Sequence, residues 1–440
     1  MRMRVCAGVM AAVVWAAPLL AQDLAPLRLT LEEAQARALQ ASHRVAELRA
    51  RESAAQGSVA VREAAERPLL SALAGYTRTN HVVEFVVPGP TGVPRVLYPD
   101  VPNNYRTRLD LQWPIYTGGR TDALERAART EAAAVAAEVT VAQADLRLEV
   151  ARAFWALATA NSAVNVLNEG LTRAQTHLAA ARERLSAGSV PPNEVSSAEA
   201  DESRQRMLLI EARNQRDVTM AGLARLTGLD ILQPIEPVAL FEAPAASQPR
   251  VDALVAEARG LRTERQAMQR RIEGADELRR AAAAGSRPAI AVGAGFDYAR
   301  PNPRTFPRAN LWDDSWDAGI NVSWPLWDGG RTKADIAQAG GAAEAARQRL
   351  AEFDSVLALE IRQRVLELDS GRAAITAADD AIRAATEARR IVTERYQAGV
   401  AQSTDVLDAN FALLQAELDR TRAIAGVRLA EARLAHALGR

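Results

Sequence analysis

Apolar and polar residues alternate strictly in two short stretches of this 440-residue chain. Tyr105, Thr107, Leu109, Leu111 and Trp113 alternate with Arg106, Arg108, Asp110 and Gln112. Trp316, Ala318, Ile320, Val322 and Trp324 alternate with Asp317, Gly319, Asn321 and Ser323. A period of two with one apolar face predicts a β-strand with different surroundings on its two sides. Each strand has a predicted partner before it, Leu70 to Tyr76 in one case and Ile290 to Tyr298 in the other, joined by proline-rich loops at His81–Asn104 and Ala299–Asp314. Aromatic residues close both ends of each apolar face, Tyr105 with Trp113 and Trp316 with Trp324. Eight residues at ~3.3 Å each span roughly 26 Å, close to the ~25 Å apolar band of a membrane β-barrel between its aromatic girdles. A half-buried strand of a soluble sandwich alternates in the same way; the matched aromatic ends in two copies favour the membrane. Four strands cannot close a barrel, since about eight make the smallest filled one. An open edge in lipid leaves backbone groups without partners. Spanning strands therefore demand several chains around one barrel.

Most of the remaining sequence has a helical period. Thr30 with Glu33 has the spacing of a capping box and predicts a helix running to about Arg67, where Pro68 stops it. The matching segment of the second half runs from about Val251 to Arg287, before Pro288. From Gly118 to Gly188 there is no proline, and an uninterrupted helix of that length is a rod of roughly 100 Å. Val150, Leu157, Val164, Leu171, Leu178 and Leu185 recur every seven positions. Ile361, Leu368, Ile375 and Ile382 keep the same register in the second half, which Arg389 interrupts before Tyr396. A sustained heptad predicts coiled-coil packing of long helices. After Gly188 and Gly399 the chain is predicted to turn and run back as helices over about 193–228 and 404–438.

These patterns are two copies of one plan. Trp113-Pro114 recurs as Trp324-Pro325, Gly118-Gly119-Arg120-Thr121 as Gly329-Gly330-Arg331-Thr332, Gly188 as Gly399, and Leu223-Ala224 as Leu434-Ala435, all 211 positions apart. Landmarks kept in one register over that distance mark a tandem duplication. The expected plan is a signal peptide at 1–21, a first repeat at 22–228, a linker at 229–250 and a second repeat at 251–440. Arg2 and Arg4 before the apolar run Val5–Leu20, with Ala21 for cleavage, carry the signal-peptide reading. Cys6 lies inside that segment, so a mature chain without it has no cysteine for disulfides, thiol catalysis or metal ligation.

Net charge is zero, which gives bulk electrostatics no reason to expect nucleic acid as a partner. His43, His81, His177 and His436 are scattered without metal-ligand spacing, and the glycine pairs lack the Gly-Lys-Ser/Thr ending of a phosphate loop. Enzyme chemistry and cofactors are therefore not expected.

Arg395-Tyr396-Gln397-Ala398-Gly399, then Asp405-Val406-Leu407-Asp408-Ala409, and the closing Ala437-Leu438-Gly439, together with the opening Leu29-Thr30-Leu31-Glu32-Glu33-Ala34, resemble the TolC family of outer-membrane efflux and secretion channels. The resemblance covers essentially all of the expected mature chain. It implies a mainly α fold with a small β part: a long coiled-coil helical barrel continuous with a shared transmembrane β-barrel, four strands per chain. It also implies a homotrimer in outer-membrane lipid, with a periplasmic adaptor (membrane fusion) protein and an inner-membrane pump as partners. On that basis Asp405 and Asp408 are candidates for an acidic ring at the periplasmic entrance, and Tyr396 for a polar network that holds the entrance closed. Glu194 occupies the position equivalent to Asp405, and Ser197 the one equivalent to Asp408, so the first copy gives a ring one carboxylate. Acidic residues in a helix's first turn also simply favour its dipole. Gly188, Ser189 and Val190, with Gly399 and Val400, are the candidate adaptor-docking tips, although any tight helix–helix turn asks for such a glycine. Ala401 departs from the family, whose best-known member has a basic residue there. The alternative reading is a structural periplasmic coiled-coil or adaptor protein whose strands form a soluble sheet.

Overall fold

The computed structural model describes residues 25–90, 92–239 and 250–440; the expected signal peptide and linker residues 240–249 lie outside the described residues. In chain order the elements are β1 (Leu27–Leu29), α1 (Leu31–Ala41), α2 (His43–Ala64), β2 (Leu69–Arg78), β3 (Phe85–Pro88), β4 (Pro94–Tyr98), β5 (Asn103–Tyr116), α3 (Arg120–Ser186) and α4 (Pro192–Thr227). They continue with β6 (Ile235–Pro237), α5 (Val251–Leu261), α6 (Thr263–Ala283), a 3₁₀ turn (Ala284–Ser286), β7 (Ala289–Arg300), β8 (Asp313–Ser323), α7 (Arg331–Gln397) and α8 (Ser403–Ala437).

The two long helices, α3 and α7, have 67 residues each, which makes each a rod of about 100 Å. Their heptad residues face inward: Val150, Leu157, Val164 and Leu178 are buried on α3, and Ile361, Leu368 and Ile375 on α7. Near the sheet, α6 packs against both α3 and α7, and α2 lies along α3. Toward the far end α4 and α8 take over, α4 against α3 and α8 against both long helices. The wall is thus ordered α2–α3–α6–α7 at one level and α4–α3–α8–α7 at the other. The sheet repeats that order, β2–β5–β7–β8, because each strand runs directly into or out of its helix.

The helix predicted from Thr30 to Arg67 is two helices. The capping box forms as expected, with Glu33 N–H donating to Thr30 Oγ1 at 3.2 Å and Thr30 N–H to Glu33 Oε2 at 2.9 Å. Ser42 then adopts an extended backbone (φ −71°, ψ 113°), and its hydroxyl accepts from Val45 N–H to start α2. Arg262 makes the equivalent break between α5 and α6, its guanidinium donating to the His436 carbonyl at 2.9 Å. The expected loop His81–Asn104 holds its own hairpin, β3 paired with β4. The described part of the linker is tied down by β6, which pairs in parallel with β1.

In the four-stranded sheet the apolar positions fall abreast: Ala72, Leu109, Phe296 and Trp316 form one row, and Leu70, Leu111, Ala294 and Ala318 the next. Trp316, 72% exposed, therefore lies level with Leu109 rather than Tyr105. The aromatic cluster at that end gathers around Tyr105 instead, with Tyr76 at 5.0 Å, Trp312 at 5.7 Å and Tyr298 stacked on Trp312 at 5.0 Å. At the helical end, Trp113 and Trp324 tie the sheet to the helices. Their indole N–H groups donate to the carbonyls of Glu66 (3.2 Å) and Ser286 (3.1 Å), which end the preceding helical segments of the two copies. The opposite face is charged. Asp297, only 2% exposed, accepts from Arg106 and Arg108 at 2.5 Å each, and Arg108 also reaches Asp110 (2.8 Å) and Asp317 (3.2 Å). Arg106, Arg108 and Asp110 come from the first copy and Asp297 and Asp317 from the second, so this network fastens one copy to the other. Both outer strands, β2 and β8, are left with an open edge.

Candidate functional site

The far ends of the two helical hairpins form the candidate site. Each long helix ends in a glycine in the left-handed region, Gly188 at φ +69° and Gly399 at φ +77°. The next residue donates back across the turn, Ser189 N–H to the Arg184 carbonyl and Val400 N–H to the Arg395 carbonyl, each at 2.9 Å. This is the hydrogen-bonding of a Schellman helix end, which requires a residue without Cβ penalty at that place. Gly188, Ser189, Gly399 and Val400 are exposed and Val190 is half-buried.

One turn before Gly399, Tyr396 is buried, and its hydroxyl donates to Glu194 Oε2 at 3.2 Å. The bond joins α7 of the second copy to α4 of the first. Arg184 from α3 completes it: its guanidinium lies 4.3 Å from the Tyr396 ring centre and donates to the carbonyls of Tyr396 (2.9 Å) and Gln397 (3.2 Å). His177 packs 5.4 Å from the same ring and shares a buried hydrogen bond of 2.9 Å with the Ser403 hydroxyl at the start of α8. Burial pushes the Tyr396 phenol above its ordinary pKa, helped by the negative Glu194, while Arg184 pulls it down. Burial holds the His177 imidazole below its ordinary range, against the pull of Asp201 and Glu194. All four helices of the two hairpins meet at this cluster.

The other two predicted residues do not join it. Asp405 closes a capping box at the start of α8, its carboxylate accepting from Gln402 N–H at 3.0 Å while the Gln402 side chain caps the Asp405 N–H. Asp408, one turn on, is exposed. Ala401 offers no basic group, and the cation beside Tyr396 is Arg184 instead. Sequence reading named Tyr396 and Glu194 but passed over Arg184, His177 and Ser403. Only one signal pointed there: Ser403 stands where the first copy has Pro192.

No described helix is long and apolar enough to cross a membrane, which says nothing of the strands. A family model described as Outer membrane efflux protein matches residues 35–229 and 254–440. Protein CyaE of Bordetella pertussis is 26% identical over 310 residues, 68% of this chain, and the chain spans 63% of that relative's length. The outer membrane protein VceC of Vibrio cholerae has the same fold, with a TM-score of 0.77 and 24% identity over 93% of this chain and 96% of its own. So has the outer membrane channel CmeC of Campylobacter jejuni, with a TM-score of 0.78 and 16% identity over 93% of this chain and 85% of its own. With its family model matched in both copies and its fold shared from sheet to helical tips, this chain belongs to the outer membrane efflux protein family, whose members sit in the outer membrane with a long periplasmic helical part.

Proposed function

We propose that this chain is one of three forming an outer-membrane exit channel, the passive duct of a tripartite efflux pump or type I secretion system. Three four-stranded sheets make a twelve-stranded barrel, continuous with the helical tunnel. The observation that carries this reading is the sheet: an apolar band in aligned rows on one face, charge on the other, and an open edge on each side. Lipid tolerates that arrangement only when neighbouring copies take up both edges. The edges of the helical wall support the same packing. Met207, Ile210 and Val218 stand exposed on α4, and Val356, Leu359 and Leu366 on α7, the two outermost helices.

The tunnel is gated at its periplasmic end by the Tyr396–Glu194 latch, with Arg184 as its cation. Asp405 and Asp408 ring the entrance and favour cations, as carboxylate rings do in other channels. The exposed tips at Gly188–Val190 and Gly399–Val400 receive the periplasmic adaptor, which couples the duct to an inner-membrane pump. Family and fold are those of channels rather than enzymes. The duct itself catalyses nothing and needs no cofactor; the pump supplies the energy. Extraction tests the reading directly. The protein is expected to stay with washed membranes at high salt, to leave them only in detergent, and to have the mass of three chains by light scattering. Release without detergent as a single chain returns the structural or adaptor reading.

A further inference from the structure

Arg389 occupies a heptad position where the neighbouring repeats of α7 place Ile382 and Tyr396. A guanidinium at an inward-facing coiled-coil position is costly unless something there pairs with it. Arg389 is half-buried, its Nε is shut off from solvent without a hydrogen-bond partner, and among the described residues no carboxylate pairs with it. It lines a cavity of about 290 Å³ between α3, α7 and α8, beside the latch. Arg173, Arg184 and His177 line the same cavity, and no described carboxylate does. Arg173 is paired with Glu417 (2.9 Å) and Glu169 (3.7 Å), but its Nε is also buried without a partner. Arg184 is held by two backbone carbonyls and the Tyr396 ring rather than by an acid.

Three arginines thus line one half-open cleft, with the charge of Arg389 unpaired and the Nε donors of Arg173 and Arg389 left over. Planar, always-charged forks of this kind match the paired oxygens of a carboxylate or phosphate. We propose that the Arg173–Arg184–Arg389 cavity is an oxyanion-binding site, taking a small free anion of the phosphate or dicarboxylate class. The bound anion supplies the counter-charge that Arg389 lacks. It also competes with the Tyr396 and Gln397 carbonyls for Arg184, so occupancy reaches the end of α7. That second effect rests on the gate reading above; binding does not.

The test uses the full detergent-extracted oligomer. Its unfolding midpoint is followed against inorganic phosphate, against malonate, and against chloride at matched ionic strength. Phosphate or malonate is expected to raise the midpoint by roughly 3–5 °C at a hundredfold excess over the dissociation constant, and chloride to leave it unmoved. Whichever of the two acts more strongly identifies the class. Arg389→Leu, which restores the apolar heptad, should abolish the response while raising the midpoint without anion. Arg389→Lys keeps the charge without the fork and should weaken the response if the leucine variant fails to assemble. An equal response in wild type and variants, or none in wild type, overturns the site. So does an Arg389→Leu chain that is less stable than an anion-insensitive wild type, because a carboxylate from a neighbouring copy then already fills the cavity.

Discussion

Glu194 and Asp405 hold the same place in the two copies, the third residue of a returning helix, yet they are put to different use. Asp405 reaches back to the N–H of Gln402 and caps its own helix. Glu194 has nothing equivalent to reach for, because Pro191 stands at the matching position and a proline has no N–H. Its carboxylate is therefore free to accept from Tyr396 across the tunnel end. One substitution between copies turns a local cap into a contact between hairpins. Duplication supplied two equivalent carboxylates, and the backbone donor available to each decided its role. Ser403 shows the same division: its first-copy counterpart is Pro192, so only the second copy offers a hydroxyl to His177.

The strongest way to break this comparison is Tyr396→Phe, which keeps the ring under Arg184 and removes only the hydroxyl. A hydrogen bond to a charged group contributes about 1.5–3 kcal/mol. Loss of the bond from a closed state is expected to raise the resting open fraction about tenfold or more in single-channel recordings. Next comes an exchange of the two caps. Pro191→Gln restores a backbone N–H that competes for Glu194, and should loosen the closed state less than Tyr396→Phe does, by several-fold. Gln402→Pro removes the capping box of α8 and is expected to cost about 1 kcal/mol, read as faster hydrogen exchange in the first turn of α8.

The buried His177 sets a pH dependence whose sign is fixed. Its pKa is lowered in the folded chain, so the unfolded chain binds more protons. The stability it contributes is therefore present above the unfolded value near 6.5 and is lost as pH falls from there toward the folded value. His177→Gln should flatten the stability profile in that window and leave its slope near pH 8 unchanged, whatever the lost contacts to Ser403 and Tyr396 cost at every pH. The smallest effect belongs to Asp408. Asp408→Ala is expected to change stability by less than about 0.5 kcal/mol while lowering cation preference in reversal-potential measurements. Asp405→Ala should lower both.

Much of this architecture was legible because it rests on period and on glycine. Alternation marked the girdle strands, heptads marked the long helices, and Gly188 and Gly399 marked the tips at the positions where the chain takes a positive φ. The break at Ser42 was not legible: serine is a common helix residue, and only its extended backbone and the bond to Val45 reveal the cap. Trp113 and Trp324 read as membrane anchors, and their indole bonds to the helix ends depend on a juncture no local pattern encodes. The latch was half legible. Tyr396 came from resemblance, and Glu194 was expected in an acidic ring through its equivalence to Asp405 rather than as the partner of Tyr396; Arg184 and His177 are brought in from α3 by the packing of one hairpin against the other. The paired charges of Arg108 and Asp297 were hidden for the same reason, lying 189 positions apart in the chain.

The most direct measurement is the conductance of the detergent-extracted protein in a planar bilayer, wild type beside Tyr396→Phe. Discrete channels are expected, resting largely closed in the wild type and open far more in the variant. Folded oligomer that forms no channels contradicts the duct itself, and channels whose resting state ignores Tyr396→Phe contradict the latch.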